Sequence, residues 1–351
     1  MWSEIAVSMI VCVATTILLM RLLAPVAVQI GLTDKPNSRK AHFSDVPLVG
    51  GLSIVIGFFM GLIFFPSPMG EFRLLFFGIV ALTILGLLDD HQDVHALWKF
   101  LAQLAIAGIL VWQGDLAISN LGNIWGAGNQ GLGVLGAPLT VLAIVGAINC
   151  FNMIDGHDGL AASLSITSLT AVAFLIYRGG IESIALLILV FVVGLTVFLV
   201  FNVADSVGKT PKVFLGDAGS MVIGFFVAYF LVRYSGNASP QFLEPVSAIW
   251  LIGVPLLDMV SVIVIRLTRR KNILSADRSH IHHILLRKGF SKSFILLAIF
   301  VLQVCFCAVG ITINIFDMSA SFFFWLAVAV LFGYVVSMVI FSRDRGPMRS
   351  C

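Results

Sequence analysis

Eleven apolar stretches recur along the chain, at about 3–25, 48–65, 72–88, 97–113, 132–148, 160–177, 184–201, 218–234, 245–265, 293–313 and 321–341. Roughly 17 to 25 such residues are enough to cross the hydrocarbon core of a bilayer as a helix. Only 11% of the residues are charged against 59% apolar, where a soluble domain carries roughly 25% charged residues. Such a chain cannot coat a globule with polar groups, so lipid is its solvent. Within lipid every backbone N–H and C=O must be paired inside its own segment. The expected fold is therefore all-α: a polytopic transmembrane helix bundle of about eleven spans, forming one domain over 1–351. The breaks between spans carry Gly, Pro, Asn and charge, as loops do.

The first apolar run has Glu4 and no basic residue before it, and the first cation, Arg21, follows it. That order suits a retained helix whose C-terminal end faces the cytoplasm rather than a cleaved leader. The inner segments are then about 26–47, 89–96, 149–159, 202–217, 266–292 and the tail from 342. The outer ones are 66–71, 114–131 (a long loop or short hairpin), 178–183, 235–244 and 314–320. Of the 21 Lys and Arg, only Arg73, Arg178 and Arg233 fall outside. This satisfies the positive-inside rule and places the N-terminus in the periplasm and the C-terminus in the cytoplasm. A net charge of +3 gives no support to a nucleic-acid partner. The five cysteines contain no CxxC pair and read as small apolar fillers.

The polar residues gather on the inner side. The first inner loop holds Asp34, Lys35, Arg39, Lys40 and His42 ahead of Gly50-Gly51. It reads either as a topology determinant at the headgroups or as an anion clamp. Asp89-Asp90-His91-Gln92-Asp93 follows an apolar span. On a helix Asp89 and Asp93 would share a face, and three close carboxylates call for a cation between them. Mg²⁺, bound by one or two carboxylates plus substrate phosphates, is the natural choice. Asn149, Asn152, Asp155 and Asp158 recur every three residues beside Gly156 and Gly159, and a continuing helix would line them up as a polar stripe. Asp217, in Phe214-Leu215-Gly216-Asp217-Ala218-Gly219, opens a span and is placed to bind metal or to cap the helix. The last inner loop carries Arg266, Arg269, Arg270, Lys271, Arg278 and His280-Ile281-His282-His283. With no cysteine or spaced carboxylate to complete a zinc set, phosphate binding and charge stabilisation suit these cations better. Acid for metal and base for phosphate on one face make phosphoryl-group chemistry the coherent reading.

These motifs, from the Lys35 loop to the histidine loop, resemble the polyprenyl-phosphate N-acetylhexosamine-1-phosphate transferase family. The Asp-Asp-His-Gln-Asp and His-Ile-His-His forms look like its bacterial branch that acts on undecaprenyl phosphate. The resemblance implies an enzyme of the bacterial inner membrane with its active site on the cytoplasmic face. It would transfer N-acetylglucosamine 1-phosphate from UDP-GlcNAc to undecaprenyl phosphate with Mg²⁺ (or Mn²⁺), releasing UMP and priming O-antigen or enterobacterial common antigen. It makes Asp217 the leading metal ligand, assisted by Asn152, with Asp89 and Asp90 at the metal or orienting the lipid phosphate. Asp155 and Asp158 fall to the nucleotide site, with Asp93 and Asn149 beside the substrates. Lys35, Arg39, Lys40, His280, His282, His283 and Arg266 hold the phosphates. A homodimer is compatible with the resemblance. The alternatives are a related enzyme using UDP-GalNAc or UDP-MurNAc-pentapeptide, a membrane prenyltransferase, or a secondary transporter. The last would need ionisable residues in mid-span and broken helices, whereas these spans read as clean.

Overall fold

The computed structural model describes residues 2–34, 45–67, 69–129, 131–203, 212–235, 243–273 and 279–343. Among them are thirteen α-helices. The first half holds α1 (Trp2–Ile30), α2 (Gly50–Leu62), α3 (Arg73–Gln92), α4 (Ala96–Gly114), α5 (Gly136–Ile154) and α6 (Leu160–Arg178). The second half holds α7 (Glu182–Val203), α8 (Gly216–Tyr234), α9 (Pro245–Leu251), α10 (Gly253–Thr268), α11 (Ile281–Arg287), α12 (Lys292–Ile315) and α13 (Ala320–Arg343). A two-stranded antiparallel ribbon, β1 (Thr33–Asp34) with β2 (Val46–Pro47), closes the base of the first inner loop. The all-α bundle expected from the apolar spacing is what forms.

Nine of the described helices are long and apolar enough to cross a membrane. The other two expected spans differ from the expectation. The stretch 48–65 holds α2, a helix of only 13 residues, about 20 Å long at 1.5 Å per residue. Even so, α2 connects the two ends of the bundle. A Cβ on Gly50 would meet the Phe214 carbonyl at 2.7 Å, while one on Gly61 would meet the carbonyl of Ser8, near the start of α1, at 2.8 Å. The stretch 245–265 is not a clean span. It is α9 and α10, bent by 77° at Ile252, where Gly253 and Pro255 interrupt the apolar run. The bend frees backbone groups far from water, and Gln303 of α12, fully buried, takes them up. Its Nε2 donates to the Leu251 carbonyl at 2.8 Å, and its Oε1 accepts from the Val254 N–H at 3.1 Å. Ser168 Oγ adds a second bond to the Leu251 carbonyl at 2.7 Å.

Helix α8 is buried almost all round, as a helix that is apolar on every face must be. It packs against α2, α3, α5 and α6. The Phe191 and Phe226 rings stack at 4.1 Å, with Phe58 edge-on to both at 5.3 and 5.6 Å. Small residues bring the backbones close: Gly86 of α3 lies directly on Ala218, and Gly51 of α2 on Gly219. Between membrane helices this close packing replaces the hydrophobic effect as the associating force. Antiparallel to α8, α3 sets its C-terminal carboxylates beside the α8 N-terminus. At the opposite end Arg233 pairs with Glu71 at 2.9 Å. The described part of 114–131 beyond α4 is loop, drawn together by an isolated bridge between Asn120 and Gly131. Among the described cysteines, Cys12, Cys150 and Cys307 are buried thiols and none is in a disulfide.

Candidate active site

The inner-loop motifs meet at one end of the bundle. The segment before α8 is hydrogen-bonded to the ribbon: Phe214 N–H donates to the Pro47 carbonyl, and Gly50 and Gly51 N–H donate to the carbonyls of Phe214 and Leu215, each at 2.9 Å. That ladder fixes where α8 begins. Its N-cap residue, Leu215, offers no side-chain acceptor. The acceptor comes instead from α3: Asp90 takes the Asp217 N–H at 2.8 Å and the Ala218 N–H at 3.4 Å. Gly216, at φ +71°, has the left-handed backbone that favours glycine, and a Cβ there would strike the Asp90 carboxylate. So Asp217 does not cap its own helix; Asp90 does, which leaves the Asp217 carboxylate free for chemistry.

That carboxylate faces Asp89, Asn152 and Lys99. Lys99 Nζ lies 2.6 Å from Asp89 Oδ2 and 3.3 Å from Asp217 Oδ2, bridging the two acids. Asp89, itself buried, also accepts the Val94 N–H at 2.8 Å. Asn152 Nδ2 donates to Ser220 Oγ at 2.9 Å. Among the described residues no group of three or more His, Cys, Asp or Glu is arranged to hold a metal. Two carboxylates and a carboxamide nonetheless converge where an ammonium sits. Mg²⁺ takes one or two carboxylates and completes its shell with water and phosphate oxygens. Asp217, Asp89 and Asn152 are the residues that could hold such an ion, with Asp90 behind them.

The helix stripe expected for 149–158 is cut short. Helix α5 ends at Ile154 and α6 starts at Leu160, so only the two asparagines are helical. Asn149 lies a turn deeper, bonded to Gln103 Oε1 at 2.7 Å and to the Val145 carbonyl at 2.8 Å. It joins α5 to α4 rather than facing the acids. Asp158 pairs with Lys212 at 2.7 Å. The Gly159 N–H donates to Asn202, which in turn donates to the Val213 carbonyl at 2.9 Å, tying this turn to the α8 lead. The expected Asp89–Asp93 face is likewise absent. Helix α3 ends at Gln92, and Asp93 is an exposed left-handed cap at φ 52°.

Asp155, at the C-terminus of α5, has its pKa pushed up to about 8 by burial and then by the charges of Asp217, Asp90 and Asp158. It therefore holds its proton at neutral pH and releases it as pH rises through about 8. Asp155→Asn mimics the protonated acid. It is expected to stay within about threefold of the parent rate at pH 7 and to lose a fall in rate centred near pH 8, read from kcat/KM between pH 6 and 9.5.

The histidine loop packs onto this turn. A Cβ on Gly156 would meet His282 Nε2 at 2.8 Å. His282 is 1% exposed, and neither of its ring nitrogens has a hydrogen-bond partner among the described residues. Burial, then the neighbouring His283, His280 and His157, hold its pKa well below the ordinary value, so this imidazole is neutral. His157 lies 6.2 Å away ring to ring, its Nδ1 against the Asp158 carbonyl at 3.0 Å and its pKa lowered chiefly by burial. His283 stands 4.2 Å from His282. His280 Nδ1 lies 2.7 Å from Asp258 Oδ2. Arg266, at the end of α10, is buried and donates to the Ile273 carbonyl at 2.6 Å, holding the start of this loop. Lys35, Arg39, Lys40 and Arg278 lie outside the described residues.

Three residues of the site escaped the sequence reading. Lys99 opens an apolar span and passes for a topology residue; its spacing from the aspartates, ten residues after Asp89, was the available signal. Asp258 is an acid within an apolar run, which alone marks function in a membrane chain. His157 sits inside the Asp-Gly-x-Asp-Gly turn, where only the flanking acids drew attention.

A family model for glycosyl transferase family 4 matches residues 72–235, the segment that carries all three aspartate clusters. The chain is 37% identical over 279 residues to the undecaprenyl-phosphate alpha-N-acetylglucosaminyl 1-phosphate transferase of Escherichia coli (strain K12), covering 78% of this chain and 75% of that protein. The protein of the same name from Haemophilus influenzae is 35% identical over 328 residues, covering 92% of this chain and 90% of its own length. That from Yersinia pestis is 36% identical over 277 residues.

Proposed function

The chain belongs to glycosyl transferase family 4, and from that membership we propose that it transfers N-acetylglucosamine 1-phosphate from UDP-GlcNAc to undecaprenyl phosphate, releasing UMP. The observation that carries this reading is the meeting of Asp89, Lys99, Asp217 and Asn152 at one end of an apolar bundle, beside the turn and the histidines at 155–158 and 280–283. A soluble nucleotide sugar and a lipid phosphate can meet only at such a place. The positive-inside pattern supports the cytoplasmic face of a bacterial inner membrane for it.

In the reaction a phosphate oxygen of the lipid attacks the β-phosphorus of the donor, and the bond to the UMP oxygen breaks. Both reactants are anions, so the protein's task is to bring them together and to stabilise spreading charge. When bound at Asp217, Asp89 and Asn152, Mg²⁺ (or Mn²⁺) supplies positive charge to the diphosphate. Asp90 fixes the α8 N-terminus and thereby aims Asp217. Lys99 holds the two acids together in the free enzyme and, released from them, offers its charge to a phosphate. Asp155 keeps a proton with which to hydrogen-bond a substrate oxygen. The His280–His283 loop and the cations of the first inner loop are assigned to the phosphates. The lipid second pKa near 6 leaves its phosphate already ionised, so no side chain is required to deprotonate it.

The test uses the purified full-length protein in nanodiscs with undecaprenyl phosphate and Mg²⁺. UMP and lipid-linked GlcNAc diphosphate are expected in equal amounts from UDP-GlcNAc, with at least about tenfold lower kcat/KM for UDP-GalNAc. UMP release without lipid product, or faster turnover of UDP-GalNAc, would overturn the assignment of this reaction and donor.

A further inference from the structure

Among the described residues the transfer scheme leaves one buried acid unused. Asp258 is 1% exposed, in the second turn of α10, and no inner-loop motif includes it. Both its oxygens are engaged. Oδ2 lies 2.7 Å from His280 Nδ1, and Oδ1 accepts the backbone N–H of Ile281 at 2.9 Å. Cys150 and Tyr334 lie near enough to feel its charge. The rings of His282 and His283 flank His280 at 5.7 and 6.5 Å.

We propose that Asp258 is a positioning residue for the transfer reaction. It fixes the tautomer and the ring plane of His280, so that Nε2 is the edge turned to the phosphate-bearing substrate. A carboxylate accepts but does not donate, so the hydrogen between the two groups sits on Nδ1. The second oxygen pins the next backbone amide, so ring and chain are clamped together and one rotamer is selected. The position of Asp258 in turn comes from the break at Ile252, which aims α10 at the histidine loop. This inference rests on the transferase reading for its kinetic part only; the tautomer is a property of the protein itself.

Asp258→Asn keeps the shape but presents an amide N–H₂ or a single carbonyl oxygen. The carbonyl cannot serve both Ile281 and Nδ1, so the amide is left to donate to Nδ1 and the ring hydrogen moves to Nε2. The expected result is a roughly hundredfold fall in kcat with KM for UDP-GlcNAc changed less than threefold. Asp258→Glu, which retains the acid, should recover part of that loss. In a His280→Ala background the Asp258→Asn change should cost less than a further twofold, because its effect runs through the ring. Independently of turnover, ¹⁵N-histidine NMR of the full chain in nanodiscs, with His280→Gln to assign the signal, should show His280 carrying hydrogen on Nδ1 in the parent. In Asp258→Asn the hydrogen should sit on Nε2.

Multiplying losses in the double variant, or hydrogen on Nε2 alone in the parent, would overturn the proposal. Should Asp258→Asn not fold, the parent spectrum decides. A parent enzyme that makes no lipid-linked product would sink the transferase reading, and the spectrum would still pass or fail the lock.

Discussion

Asp217→Ala is expected to cut transfer by at least about a thousandfold in kcat, measured as UMP release under saturating donor and acceptor, while leaving the fold intact. The two halves of this residue do separate work. Its backbone N–H is the one that Asp90 holds at 2.8 Å, and alanine keeps it. Its carboxylate faces Asp89, Asn152 and Lys99, and alanine removes it. Asp90→Ala should show the opposite pattern, uncapping α8 at a stability cost of about 1 kcal/mol and losing activity only as far as Asp217 drifts. Unfolding midpoints in detergent beside single-turnover rates separate the two. Full activity in Asp217→Ala would remove this acid from the site.

Lys99→Met is the second large effect, and its two consequences differ in sign. The ammonium bridges Asp89 and Asp217 at 2.6 and 3.3 Å, which is the place proposed for the divalent cation. Removing it takes away a competitor, so half-saturation by Mg²⁺ should fall about tenfold. It also takes away a charge that the departing UMP oxygen would use, so kcat should fall about a hundredfold. A magnesium titration of initial rates reads both. If the variant needs more Mg²⁺ rather than less, Lys99 does not share the metal's position.

Much of this was legible in the chain because the physics behind it is local. Apolar runs of membrane length announce helices, and acids at their ends announce a site at the bilayer surface. The acids at 89, 90, 155, 158 and 217 were picked out that way, as were the histidines at 280, 282 and 283. What local pattern does not carry is the assignment of partners. Asp89 and Asp90 are neighbours, yet one faces Lys99 and the other caps a helix by holding the N–H of Asp217, 127 residues later. Only the antiparallel packing of α3 on α8, set by Gly86 against Ala218, decides which does which. Asn149 and Asn152 share a stripe, but one is spent on Gln103 and only the other reaches Ser220 beside Asp217. The bend at Ile252 had a signal in Gly253 and Pro255, and the apolar content of the stretch concealed it.

That bend limits how the bundle can change. In lipid an unpaired peptide group costs several kcal/mol, so a helix can break there only if a second helix brings the missing donor and acceptor. Here one glutamine amide supplies both, fifty-two residues from Leu251 and forty-nine from Val254. The break and the amide are thus two halves of one device. Removing the amide alone would take a partner from both peptide groups in lipid, and straightening the helix alone would strand the amide, so neither half can change without the other.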